Sequence, residues 1–282
     1  GVQTCALPIS DMRQWTVDAF SRKPFGGNPA CVLEPLDDWP AESWMQALAA
    51  ENNAGATAFL KRTERPDCFG LRWFTPAVEV PLCGHATLAA AHVLLAETGL
   101  KADGLAFDTS GGRLTVSWVE TGYEMVLPLL VSRRIEAPAG LAEALGEEPA
   151  EVWSGHYLIA VFDRAATVRR LAPRLEAVKA ISMALGGKGN IGVAAEDDGG
   201  TAADVVDRFF APGFGLAEDP ATGSFHAQLA PIMSGRLGRP SLAYYQAYPG
   251  RGAELTARVA EDQVTLRGAA FTVAESRLRV AV

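Results

Sequence analysis

Several features that mark large function classes are scarce or missing. The 282 residues include only four cysteines, at positions 5, 31, 68 and 83. They form no Cys-x-x-Cys pair and no finger spacing. A zinc site or a disulfide framework is therefore not expected, and a reducing, cytoplasmic setting is. No apolar run reaches the roughly 18 residues a membrane-spanning helix needs, and the mean hydropathy is only +0.09. Basic residues number 25 against 33 acidic ones, a formal charge of −8. Such a balance disfavours a surface that tracks polyphosphate, so nucleic acid is not an expected partner. No Gly-x-Gly-x-x-Gly follows a strand, which argues against a dinucleotide fold. No Gly-x-Ser-x-Gly elbow is present, which argues against a serine hydrolase. Gly186-Gly187-Lys188-Gly189-Asn190 resembles a phosphate loop but lacks its spacing. His92, His156 and His226 show no metal-ligand spacing, so no metal is expected.

What is present is ordinary globular material, 49% apolar and 21% charged. The length suggests two domains, each able to bury a core. Residues 1–11 lack the basic region and apolar stretch of a signal peptide. They resemble the translation of a sequencing adapter and are expected to be a non-native leader that does not pack, with the natural start at Met12. An N-terminal lobe is then expected over 12–128 and a C-terminal lobe over 129–282, with a last strand free to return to the first lobe. Alternating patterns predict strands over 14–20, 30–33, 57–60, 69–74, 105–109, 113–119 and 123–127. Helices are expected over 41–52 and 85–98, the second stopped by Gly99. The second half predicts strands over 157–161, 191–195, 204–210, 255–260, 263–266 and 270–273. It predicts helices over 168–172, 175–184 and 224–234, the last limited or kinked by Pro231.

An internal repeat joins the halves. An offset of 136 residues lays Arg72-Trp73-Phe74-Thr75-Pro76 on Arg208-Phe209-Phe210-Ala211-Pro212. The same offset lays Cys83-Gly84-His85-Ala86-Thr87 on Asp219-Pro220-Ala221-Thr222-Gly223. Each segment reads as strand, loop, helix. Two helix starts would then face one cleft, with Cys83 and Asp219 as matched partners.

These segments also hold the chemistry. A small-residue loop opening a helix leaves backbone N–H groups free beside the positive dipole end, which suits a carboxylate ligand. Ser224 would add a hydroxyl; alternatively Asp219 or Thr222 simply caps the helix. His85 at a helix start would favour the neutral ring, or it sits there for packing. Cys83 would have a lowered pKa if exposed to the dipole, or it is a small buried residue. Asn28, in Gly26-Gly27-Asn28-Pro29, either reaches a ligand or belongs to an ordinary turn.

Taken together, these blocks resemble the phenazine-biosynthesis PhzF-like family. Val17-Asp18-Ala19-Phe20 with Pro24-Phe25-Gly26-Gly27-Asn28-Pro29-Ala30 is similar to its first signature. Arg72–Pro76 with Val80–Thr87 is similar to the second, and Phe209–Pro212 with Glu218–Ser224 to the third. Tyr245-Gln246 with Gly250-Arg251-Gly252 is similar to a fourth. The resemblance implies an α+β, diaminopimelate epimerase-like fold. It has two pseudo-symmetric lobes, each a mixed, mostly antiparallel sheet wrapped around a central helix. It also implies a homodimer without metal or organic cofactor that isomerises a small carboxylated metabolite by moving a proton. Asp219, His85 and Ser224 would line the site, and the Gly84 and Gly223 amides, with Thr222 and Asn28, would hold substrate.

The sequence departs from the family at one place. The family's acid/base glutamate usually lies in Asn-x-Ser-Glu-Thr-Ala-Phe, and this chain reads Asn53-Ala54-Gly55-Ala56-Thr57-Ala58-Phe59. Ala56 stands at the glutamate's position and cannot exchange a proton; Glu51 is five residues away. Phe225 replaces a usually small residue and is expected to reshape the pocket. Three readings follow. One is an isomerase that uses Cys83, His85 and Asp219. Another is a silent carboxylate-binding protein, and the third a different enzyme on the same scaffold.

Overall fold

The computed structural model describes residues 12–280; the leader expected over 1–11 lies outside the described residues. The first half runs β1 (Met12–Ala19), β2 (Asn28–Leu33), α1 (Glu42–Asn52), β3 (Ala56–Arg62), β4 (Cys68–Phe74) and β5 (Glu79–Val80). It continues with α2 (Gly84–His92), β6 (Gly104–Thr109), β7 (Gly112–Val119), β8 (Gly122–Pro128) and a short β9 (Arg133–Ile135). The second half runs α3 (Leu141–Leu145), β10 (Glu151–Ser154), β11 (Leu158–Val161), α4 (Ala165–Arg170), α5 (Leu175–Ala184), β12 (Ile191–Glu196) and β13 (Val205–Phe210). It ends with β14 (Glu218–Asp219), α6 (Gly223–Leu237), β15 (Ser241–Gln246), β16 (Ala253–Ala260), β17 (Gln263–Gly268) and β18 (Ala270–Leu278).

The pairings repeat strand for strand. In the first half β1–β2 is antiparallel, β2–β3 parallel, β3–β4 and β4–β5 antiparallel, β4–β6 parallel, and β6–β7–β8 antiparallel. The run β10 to β17 follows the same sequence of directions. The ninth strand of each half crosses over. β18 pairs with β1, and β9 pairs with β10. β8 and β17 join the two halves into one sheet.

Each half wraps a helix that is buried along most of its length. Ala86, Leu88, Ala89, Ala90 and Ala91 of α2 are wholly buried, as are Phe225 and Leu229 of α6. The polar side chains His226 and Gln228 of α6 are buried with partners, Asp207 and the Tyr157 backbone. α2 continues as a π-turn over Val93–Glu97, and Gly99 follows with φ +71. α6 runs through Pro231 to Leu237, past its expected limit at 234. Proline cannot donate to the Ala227 carbonyl four residues back. The Leu130 N–H takes that place at 3.1 Å, so no buried acceptor is orphaned.

The repeat has a register change that sequence identity hid. Trp73 pairs with Val80 and Phe74 with Glu79, whereas Phe209 pairs with Asp219 and Phe210 with Glu218. Four residues separate Phe74 from Glu79 and seven separate Phe210 from Glu218. The three extra residues fall where a 3₁₀ turn forms over Pro212–Phe214. Ion pairs fix both registers. Arg72 Nη2 meets Glu79 Oε2 at 2.7 Å, and Arg208 Nη2 meets Glu218 Oε2 at 2.8 Å. Beyond the turn the offset is therefore 139. Val80 corresponds to Asp219, Cys83 to Thr222, Gly84 to Gly223 and His85 to Ser224. The expected matching of Cys83 with Asp219 is corrected accordingly.

Candidate active site

The two central helices meet start to start. A Cβ placed on Gly84 would lie 3.3 Å from Gly223 Cα. Glycine at both positions eases this approach, which sets two positive dipole ends side by side. The N-caps are Cys83 and Thr222, and neither makes a side-chain capping bond. Thr222 Oγ1 instead donates to Asp219 Oδ2 at 2.5 Å. The capping alternative for Asp219 and Thr222 therefore does not hold.

A cavity of about 200 Å³ opens over these helix starts, lined from both halves by Gly55, Cys83, Gly84, His85, Tyr157, Asp219, Thr222, Gly223 and Ser224 among others. A larger cavity of about 320 Å³ lies beside Tyr244 and Arg267, but neither helix start reaches it. Asp219 is tethered rather than paired with a cation. Its Oδ1 accepts from Asn28 Nδ2 at 2.7 Å. Burial pushes its carboxyl up to about 6, against the pull of the Thr222 and Asn28 hydrogen bonds, and the neighbouring Glu218 charge adds to the rise.

Asn28, wholly buried, is the hub. Its amide also donates to the Ala221 carbonyl at 3.0 Å and faces His85 Nδ1 at 3.2 Å. The acceptors around Nδ2 fix the amide's orientation, so Oδ1 points away and has no protein partner. Asn28 opens β2 beneath the cavity and does not itself line it. Arg251 holds its loop: Nη2 donates to Gly26 O at 3.0 Å and to Asp18 Oδ1 at 2.6 Å, and Nε to Gly27 O at 3.0 Å. Burial raises the Asp18 pKa, opposed by Arg251 and by the Phe25 N–H.

His85 and Cys83 do face each other, with Cys83 Sγ 3.5 Å from His85 Nδ1. Burial pushes the His85 ring down to about 4, so the imidazole is neutral near pH 7. Burial pushes the Cys83 thiol up to about 12, outweighing the Ala86 N–H beside it, and the Asp219 charge adds to the rise. A lowered Cys83 pKa is thus not found. Asn28 Nδ2 approaches the same Nδ1 at 3.2 Å, and Cys83 Sγ also lies 3.8 Å from Nε2. A Cβ on Gly55 would sit 3.3 Å from that nitrogen, so the bare glycine leaves room beside it.

Ser224 Oγ lies 2.9 Å from Tyr157 Oη. Gln246 Oε1 accepts from the Thr222 N–H at 2.9 Å, and its Nε2 donates to the Asp219 carbonyl at 2.6 Å. Sequence reasoning assigned no role to Tyr157, Gln246 or Arg251, although Gln246 and Arg251 lay in the fourth motif. Ala56 is wholly buried in the core, opposite Ala30, and does not line the cavity. Phe225 does not line it either. It packs on Phe209 and against Gly192, where a Cβ would meet its ring at 2.0 Å. The expected reshaping of the pocket is therefore absent, because the bulk is taken up in the core. Among the described residues no cluster of three or more His, Cys, Asp or Glu is placed to hold a metal ion, and no helix is long and apolar enough to cross a membrane.

Comparison with known proteins agrees with this architecture. The family model described as phenazine biosynthesis-like protein matches residues 17–276. An uncharacterized isomerase of Pseudomonas aeruginosa is 38% identical over 94% of this chain and 97% of its own length. The human phenazine biosynthesis-like domain-containing protein is 36% identical over 96% of this chain and 99% of its own. The crystal structure of a PhzF-family phenazine biosynthesis protein of Enterococcus faecalis superposes with a TM-score of 0.88 at 36% identity, covering 95% of this chain and 99% of that one. The fold is the α+β, diaminopimelate epimerase-like arrangement of two lobes around central helices, and the chain belongs to the phenazine biosynthesis-like, PhzF family.

Proposed function

We propose that the cleft binds a small carboxylated metabolite and isomerises it by moving a proton between two of its atoms. The observation that carries this reading is the meeting of two helix starts at Gly84 and Gly223 beside a carboxyl group of raised pKa. Two adjacent positive dipole ends are mutually unfavourable until an anion lies across them, each interaction being worth about 0.3–1 kcal/mol, or up to ~2 where partly buried. The Gly84 and Gly223 amides would hold the substrate carboxylate, with Ser224 and Thr222 at its edge. As a proton leaves the adjacent carbon, negative charge moves onto the carboxylate oxygens, where the same amides stabilise it.

Asp219 takes the proton as carboxylate and returns it as carboxylic acid, so the catalyst ends unchanged. A pKa near its ambient range suits both roles. Neutral His85 donates from Nε2 to a substrate oxygen or nitrogen, and Asn28 and Cys83 flank its Nδ1. Asn28 positions Asp219 and offers Oδ1 to a substrate donor. Removal and return by one carboxylate on one side favours migration along a single face over inversion by two opposed bases. The family resemblance also points to a homodimer working without cofactor in the cytoplasm; sedimentation of the purified chain reads the oligomeric state.

The test is solvent exchange. Incubation in deuterated water with a panel of carboxylated metabolites should place deuterium at carbon, and Asp219→Asn should reduce it by a factor of about 10² to 10⁴. The buried alanine at position 56 favours a second reading, a silent carboxylate binder. That reading predicts binding without exchange in the native chain, and exchange only after Ala56→Glu.

A further inference from the structure

One motif remains outside this reading, the glycine-rich loop around Lys188. The loop is pinned on several sides. The Gly189 N–H donates to Ser182 Oγ at 3.1 Å, and Asn190 Oδ1 accepts from the Gly213 N–H at 2.8 Å. A Cβ on Gly187 would meet Ser182 Oγ at 2.7 Å, and one on Gly213 would meet the Lys188 carbonyl at 1.8 Å. The glycines therefore serve close packing, which accounts for a phosphate-loop look without phosphate-loop spacing. Their result is to hold Lys188 at the wall of the same cavity, beside His156.

Lys188 is solvent-exposed and makes no ion pair among the described residues, whereas Arg169, Arg170 and Arg208 in the same half are paired with carboxylates. His156 lies near enough that the Lys188 charge, after burial, helps lower its pKa, so it offers a neutral N–H donor. It directly precedes Tyr157, whose hydroxyl touches Ser224. Leu82, Leu130, Phe214 and Leu216 add apolar surface to the same lining. Lys188 places a cation at the cleft of a chain whose net charge is −8. The overall field repels anions, and a local cation is what counters that repulsion at the cleft.

We propose that the substrate is dianionic, one carboxylate lying across the Gly84 and Gly223 helix starts and a second anionic group, beyond an apolar spacer, received by Lys188 and His156. This rests on the carboxylate-binding reading above and names its substrate class.

The experiment compares straight-chain dicarboxylates from succinate to adipate with the matching monocarboxylates from butyrate to hexanoate, by titration calorimetry on the full chain. At least one dicarboxylate should bind about tenfold tighter than its partner, and the advantage should shrink as salt screens the lysine. Lys188→Met should bring the ratio of dissociation constants close to one, and Lys188→Arg should keep most of it. A ratio near one in the native chain, or a ratio unchanged by Lys188→Met, overturns the dianion proposal while monocarboxylate binding leaves the first reading intact. Failure of both series to bind overturns both.

Discussion

Asn28→Ala probes the network at its hub. Asn28 Nδ2 donates to Asp219 Oδ1 at 2.7 Å, and a hydrogen bond to a charged group contributes about 1.5–3 kcal/mol. At about 1.36 kcal/mol per pKa unit, its loss raises the Asp219 pKa by roughly one to two units. Water entering the vacated space restores part of that, so a rise of about one unit is expected, from about 6 towards roughly 7. The carboxylate is the form that accepts a proton, so exchange activity falls on the acid side and recovers as pH rises. Near pH 6 the ionised fraction drops from about one half to about one tenth, and well above pH 8 the variant should level off below native exchange, by the Oδ1 contact it has lost. The assay is deuterium incorporation as kcat/KM across pH. A native profile whose acid limb does not lie near Asp219's pKa, or a variant whose limb does not move, refutes the assignment. The same shift bears on stability. The native pKa lies above the unfolded value of 3.8, so the folded state holds the proton more tightly between the two. This contribution is present below the unfolded pKa and is lost as pH rises through about 6, and in the variant the loss extends higher.

Gly223→Ala places a Cβ 3.3 Å from Leu266 Cδ1 and 3.5 Å from Gly84 Cα. It should raise KM for a carboxylated substrate about tenfold or more while costing about 1–3 kcal/mol of stability by overpacking, read by kinetics and urea unfolding. Arg251→Met leaves buried Asp18 without its cation at 2.6 Å. It should cost about 3–5 kcal/mol, and the double change with Asp18→Asn should recover a large part of the loss in the same unfolding assay.

Much of the fold was legible because the chemistry is local. The first central helix announces itself through an alanine-rich stretch, and most strands through alternation and turn residues. The elements that were missed are short or compensated from afar. β10 and β15 lack strong alternation, and α6 continues past Pro231 because Leu130, about a hundred residues earlier, supplies the missing donor. The site was legible in its parts but not in its register. Identity at an offset of 136 matched Cys83 with Asp219, since residue identity weighs the conserved-looking letters and not the turn between them. The paired hairpins weigh hydrogen bonds, and they match Cys83 with Thr222.

That correction changes the chemistry expected of the cleft. Under the first register a thiol and a carboxylate are symmetry-related, as two opposed bases of a racemising site would be. Under the second, the first-half counterpart of Asp219 is Val80 and the counterpart of His85 is Ser224, so the symmetry of the fold does not extend to its acid/base groups. Cys83 is held as a thiol well above neutral pH, and His85 is held neutral. Asp219 is the cleft's carboxyl, pushed up to about 6 by burial with its oxygens tethered from two sides. A scaffold doubled in its backbone thus presents one tethered carboxyl at the cleft, and the proton transfer proposed for it would run along a face of the substrate rather than through it.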